Sequence, residues 1–190
     1  MINNIKNILD NHIKLVQQIT NDAVLLQQIQ EAVNILVTAF QNGNQLLLCG
    51  NGGSAADAQH IAAEFSNKFL KERKPLNAEA LHVNSSYLTA VANDFHFNQV
   101  YAKAVQAKGK IGDVLIGLTT SGKSENIIEA FKVAKQLNIT TIAFVGENRT
   151  LLQPFSDIII AIPSNETPRI QECHILIGHI ICELVEEKLF

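Results

Sequence analysis

The sequence predicts an α/β fold: a single domain on a five-stranded parallel sheet in the order 2-1-3-4-5, flanked by helices, with two further helices at its N-terminus. Three observations predict it. Five short apolar runs alternate with helical stretches along the 190 residues, the rhythm of a doubly wound sheet. A hydrophobic fraction of 47% in a chain of this length supports one sizeable core. Two glycine- and hydroxyl-rich turns follow the first and third runs, which in that strand order flank the topological switch where open α/β sheets bind ligands.

Along the chain, Ile5, Ile8, Leu9, Ile13 and Val16, then Val24, Leu25, Ile29, Val33, Leu36, Val37 and Phe40, recur at helical spacing and predict two amphipathic helices. Asn42-Gly43-Asn44 ends the second. Residues 1–42 are expected to serve packing and oligomerisation, and 45–190 to form the α/β sandwich. Leu46–Cys49, Glu79–Val83, Val114–Leu118, Thr141–Val145 and Ile158–Ile162 read as buried strands. Pro168 at a first turn opens a last helix running to about Leu189. No repeat, low-complexity segment or second domain is visible.

Composition narrows the function classes. A net charge of -3 from 15 basic and 18 acidic residues, interspersed, gives little attraction to nucleic acid or acidic membranes. Met1–Lys6 lacks a basic-then-apolar secretory pattern, and the apolar stretch Ile175–Val185 is interrupted by Gly178, His179 and Glu183; a cytoplasmic protein is expected. Cys49, Cys173 and Cys182, odd in number and without C-x-x-C spacing, suit buried thiols in a reducing compartment rather than disulfides.

The first turn, Cys49-Gly50-Asn51-Gly52-Gly53-Ser54, joins a strand to the helix containing Ala55 to Phe65. Its glycines permit close backbone approach, and the helix N-terminus offers unpaired N–H groups and partial positive charge; the alternative is a tight connection capped by Ser54. The second turn, Thr119-Thr120-Ser121-Gly122-Lys123-Ser124, gathers four hydroxyls at another helix N-terminus and suits a phosphate dianion. Gly117 through Ser124 also satisfies the P-loop pattern G-x-x-x-x-G-K-[ST]. Gly117 lies inside the apolar run, however, where a P-loop's first glycine should open the turn, and no later strand ends in a clear magnesium-holding Asp.

His60 and Glu64, four residues apart, share one helix face. They suit metal binding or proton transfer, or form an incidental surface pair. In the last helix Gln171 and His179 are offset by about 80° and can border one cleft, whereas His174 lies about 140° from His179 and faces elsewhere. From spacing alone His179, on a helix apolar nearly all round, reads as a core or interface histidine; whether the two helices meet is for the tertiary structure to decide.

The stretches 49–60, 92–95 (Ala-Asn-Asp-Phe), 119–124 and 167–172 (Thr-Pro-Arg-Ile-Gln-Glu) together resemble the sugar isomerase (SIS) family and, within it, the phosphoheptose isomerases, over essentially the whole chain and in matching order. The resemblance implies a homotetramer with sites between subunits. It also implies interconversion of sedoheptulose 7-phosphate and a manno-heptose 7-phosphate, the entry to activated heptose for bacterial surface polysaccharides. Thr119, Thr120, Ser121 and Ser124 would hold the phosphate. Asn51, Gly52, Gly53, Ser54, Asn93 and Asp94, with Glu64 and Gln171, would contact the sugar. His60, Glu64, Gln171 and His179 match zinc-site positions, with Glu64 and His179 the acid–base pair. Asn67-Lys68 stands where Gly-Arg is common, and His96 where Gly is usual. Two rivals remain: a non-catalytic SIS module that binds a sugar phosphate and a protein partner such as the replication initiator, which has no chemical need of that four-residue set, and a P-loop NTPase.

Overall fold

All five apolar runs contain a strand: β1 (Leu46–Gly50), β2 (Ala78–Ala80), β3 (Val114–Thr119), β4 (Thr140–Val145) and β5 (Ile158–Ala161). In the computed structural model, which describes all 190 residues, they form one sheet in the order β2-β1-β3-β4-β5, every pairing parallel. The second strand is shorter and earlier than the expected Glu79–Val83. Leu81 still donates to Leu48 O, but Val83 N turns back to Ala80 O, bringing Asn84 into place to cap the next helix through Tyr87 N.

Seven α-helices flank the sheet: α1 (Ile2–Asn21), α2 (Ala23–Gln41), α3 (Gly53–Ser66), α4 (Ser85–Asp94), α5 (Val100–Lys108), α6 (Glu125–Gln136) and α7 (Thr167–Leu189). Strand side chains alternate between two cores, as the pleat requires. Leu46, Leu48, Ile116, Leu118, Ile142 and Phe144 meet α2, α3 and α7 on one face. Leu47, Cys49, Leu115, Ala143 and Val145 meet α4, α5 and α6 on the other. Gly117 sits in the middle of β3 because a Cβ there would collide with the Phe131 ring and Ile127 of α6. It is a packing glycine, which removes the structural basis of the P-loop reading.

The N-terminal helices divide unequally. Asp22 Oδ1 caps α2, accepting from Val24 N and Leu25 N at 3.0 Å. An 18-residue window of α2 has mean hydropathy 1.3, enough by composition to cross a membrane. Ile29, Ala32, Val33 and Leu36 are nonetheless buried, and α2 packs on α7 and β5 as a core helix. In α1 the core contacts come from Leu15 and Ile19, while Ile5, Ile8, Leu9 and Ile13 remain 53–57% exposed in the single chain. The stripe that sequence spacing marks as apolar is therefore mostly unpartnered within one chain.

Candidate functional site

The two turns meet at the carboxyl ends of β1 and β3, adjacent strands whose following helices go to opposite faces of the sheet. Between them lies a cleft of about 310 Å³ lined by Asn51, Gly52, Gly53, Ser54, Leu118, Thr119, Thr120, Ser121, Ser124, Thr167 and Gln171. Eight of these are residues of the two turns, and none of the lining residues is charged, so an anion here would be met by hydroxyls and helix N-termini. Lys123 is exposed and does not line the cleft, in contrast to the phosphate-reaching lysine of a P-loop.

Both helix N-termini are left open to a ligand. Ser124 is the N-cap of α6 but its side chain caps nothing; its Oγ lies 2.9 Å from Thr119 Oγ1 instead. Thr119 Oγ1 is also 3.5 Å from Ser121 Oγ, which accepts from Lys123 N at 3.2 Å. The hydroxyls are thus tied to one another while first-turn N–H groups stay without the side-chain acceptor an N-cap serine usually supplies. Gly122, at φ +65, makes the bend, and a Cβ there would run into the Asn148 carbonyl. At the other turn the N-cap of α3 is Gly52, at φ 55 and without a side chain; Ser54 lies inside the helix, 4% exposed, and is not the cap.

Two fastenings went unread in the sequence. Asn51 and Asn126 exchange reciprocal amide hydrogen bonds of 2.9 and 2.8 Å, locking the first turn to α6. Asn126 is 3% exposed, a polar residue beside the buried Ile127, and that break in an apolar face was its available signal. Tyr101 donates its hydroxyl to Gly50 O, fixing the start of the first turn from α5; an aromatic residue among alanines in α5 gave no comparable hint.

Helices α3 and α7 lie side by side, in contact at Gly53–Gln171, Ile61–Gly178 and His60–His179, so they run in the same direction. This contact answers the question that spacing left open. His60 Nε2 lies 3.0 Å from Glu64 Oε1 and 3.4 Å from His179 Nε2. One donor atom from each of His60, Glu64 and His179 falls within 4.8 Å of the others. Two imidazole nitrogens and a carboxylate oxygen at this spacing fit a zinc ion with one position open. Asp57, a turn before His60, has one buried carboxylate oxygen without a hydrogen-bond partner. Burial holds its carboxyl above the usual range, a rise that His60 and His179 partly offset.

The remaining candidates are placed elsewhere in the chain. A Cβ on Gly53 would meet the Gln171 amide at 2.6 Å, so Gln171 closes the cleft end. His179 stands about 12 Å further along α7 by helical rise. As a fourth metal ligand in the same chain, Gln171 would have to leave Gly53. Asn93 donates to Asp94 at 2.9 Å; both are exposed at the end of α4, and neither lines the cleft. His174 points away from His179, as its angular offset requires: it is fully buried, with Nε2 3.2 Å from Val145 O. Cys49, Cys173 and Cys182 are free and buried, and burial lifts the Cys173 thiol to about 11. Neither Asn67 (φ -118) nor His96 (φ -149) has the positive φ that would call for glycine.

A parallel 2-1-3-4-5 sandwich with an uncharged phosphate-type cleft at its switch point is the architecture of a sugar isomerase domain. The SIS domain family profile matches residues 9–146, and the chain belongs to that family. Within it the relatives are phosphoheptose isomerases. The chain is 51% identical over 174 residues to that of Clostridium acetobutylicum, covering 92% of this chain and 89% of the relative. It is 53% identical over 163 residues to that of Aquifex aeolicus, covering 86% and 85%. The solved phosphoheptose isomerase of Francisella tularensis superposes with a TM-score of 0.93 at 36% identity over 98% of both chains.

Proposed function

We propose that this chain is an aldose–ketose isomerase that converts D-sedoheptulose 7-phosphate to D-glycero-D-manno-heptose 7-phosphate, the first step of activated-heptose biosynthesis. The observation that carries this reading is the meeting of Glu64 and His179, 115 positions apart in sequence, beside an uncharged phosphate-type cleft. Its support is identity above 50% to phosphoheptose isomerases over most of the chain. A binding-only SIS module has no chemical reason to bring these side chains together.

Thr119, Thr120, Ser121 and Ser124, with the open N-terminus of α6, hold the phosphate. Asn51, its amide oriented by Asn126, contacts the sugar chain with Gly52, Gly53, Ser54 and Gln171; Asn93 and Asp94 are assigned the same role. Anchoring the phosphate on C7 leaves the C1–C2 end for the His60, Glu64, His179 group, about 10 Å along α3 from Gly53 by helical rise. Glu64 and His179 share the proton transfers. A proton leaves C1 of the ketose to give an enediolate, one is returned to C2, and the hydroxyl proton of O1 passes to O2. His60, Glu64 and His179 would hold a Zn²⁺ ion, which when bound polarises the substrate oxygens.

The unpartnered apolar stripe of α1 is assigned to assembly, with homotetramers placing sites between subunits. The buried, unpaired thiols suit the cytoplasm. Purified protein incubated with sedoheptulose 7-phosphate, with and without a chelator, should form the aldose, more slowly after chelation. Glu64→Gln and His179→Ala should each lower kcat by about 10²–10⁴-fold. Near-wild-type turnover by both folded variants would overturn the mechanism. Mg²⁺-dependent ATP turnover without response to heptose phosphate would overturn the function.

A further inference from the structure

Behind the His60, Glu64, His179 group lies a buried ion pair that takes no part in the proton transfers. Arg73 Nε donates to Glu186 Oε1 at 2.6 Å, and the two side chains are 1% and 2% exposed. The guanidinium closes the end of α3: it donates to Glu64 O at 2.9 Å and to Phe65 O and Asn67 O at 3.0 Å. These are the carbonyls a helix C-terminus leaves without intrahelical partners. Glu186 in turn gathers the loop that follows, accepting from Phe69 N at 3.0 Å and from Leu70 N and Lys71 N at 2.8 Å.

Phe69, held by this loop, places its ring 5.6 Å from that of His179. His60 approaches the same imidazole edge-on at 5.0 Å. Glu186 is seven residues beyond His179, so the two lie about 20° apart on one face of α7. Both members of the acid–base pair therefore lead back to one buried anchor, Glu64 through its carbonyl and His179 through Phe69. An ion pair in this position is weak evidence for stability alone, since apolar replacements of similar volume often stabilise as well. What an apolar pair would not reproduce is the simultaneous hold on the carbonyls of α3 and the N–H groups of residues 69–71.

We propose that Arg73, Glu186 and Phe69 are positioning residues for the isomerisation, setting where Glu64 and His179 stand relative to each other. This rests on the isomerase reading above. The test uses the full-length protein carrying Phe69→Leu, Phe69→Tyr or Arg73→Lys, with kcat and KM measured on sedoheptulose 7-phosphate below each variant's unfolding temperature. Co²⁺ affinity is measured separately by visible absorption without substrate. Phe69→Leu should lower kcat about 10-fold with KM within about 2-fold, and Phe69→Tyr should restore it, since misplacement by an ångström costs up to about 10²-fold. Arg73→Lys, which replaces a planar fork by a point donor, should lower kcat about 10²-fold. Both Phe69→Leu and Arg73→Lys should weaken Co²⁺ binding about 10-fold, as loss of outer-shell support does.

Unchanged kcat and unchanged Co²⁺ affinity in Phe69→Leu, whatever its melting temperature, overturns the proposal, as does loss of kcat only in proportion to the unfolded fraction. If Arg73→Lys does not fold, the Phe69 pair decides alone. If the wild type binds Co²⁺ but isomerises nothing, the isomerase reading has failed while the Co²⁺ comparison still judges the positioning.

Discussion

At neutral pH His174 is an uncharged imidazole sealed between α7 and β4, its ring edge-on to Phe144 at 5.6 Å. Burial, only partly offset by the hydrogen bond to Val145 O, lowers its pKa from 6.5 to about 4. Between those values the unfolded chain binds a proton that the fold refuses, so stability is full above pH 6.5 and falls as pH drops towards 4. Glu186 adds a lower window. Its burial would raise the carboxyl, but the three N–H donors and Arg73 hold it down from 4.5 to about 2. Its contribution is full above pH 4.5 and is lost as pH falls through 2. The upper window spans about 3 kcal/mol at about 1.4 kcal/mol per pKa unit. Urea midpoints should therefore be flat above pH 7 and decline in two stages. His174→Gln, which keeps a donor for Val145 O, should shrink the upper stage to the part left by His82, whose pKa burial also lowers; an unchanged profile between pH 6.5 and 4 would contradict the assignment. The angular offset separates His174 from His179 correctly, but assigning His179 to a site required seeing His60 beside it.

Among the elements, β3 and the turn that follows it depend on two glycines for different reasons. Gly117 is extended and gives way to the Phe131 ring, so Gly117→Ala overpacks a filled core and should cost about 1–3 kcal/mol, read as a lower urea midpoint with KM unchanged. Gly122 is left-handed and faces a backbone carbonyl that cannot swing aside. Gly122→Ala should therefore distort the hydroxyl turn and raise KM for the sugar phosphate, with a smaller effect on kcat. Equal KM values in the two variants would remove the second turn from phosphate binding. Element positions were largely legible because strand runs, the Pro168 helix start and the Asn-Gly-Asn stop are local signals. The second strand was misplaced by a residue at its start and overrun at its end. At a sheet edge, β-type residues such as Leu81 and Val83 can serve the following turn as readily as the ladder.

At the scale of the molecule, α1 presents Ile5, Ile8, Leu9 and Ile13 to solvent within one chain, and light scattering should report an assembly rather than a monomer. Replacing Ile5 and Leu9 by Glu should lower that mass without unfolding the sandwich, because the core contacts of α1 come from Leu15 and Ile19. A monomeric wild type would leave the stripe without the role assigned to it. The sequence by itself determined the parallel sandwich, its strand order and the two ligand-facing turns, since periodicity and turn chemistry are written in neighbouring residues. The tertiary structure alone decided that His60, Glu64 and His179 share one point, that the Gln171 amide packs on Gly53, and that Asn126 fastens the first turn while Phe69 stands beside His179 and Arg73 behind Glu64. Those facts depend on how α3, α6 and α7 are set against one twisted sheet, a relation between residues up to more than a hundred positions apart that local pattern does not encode.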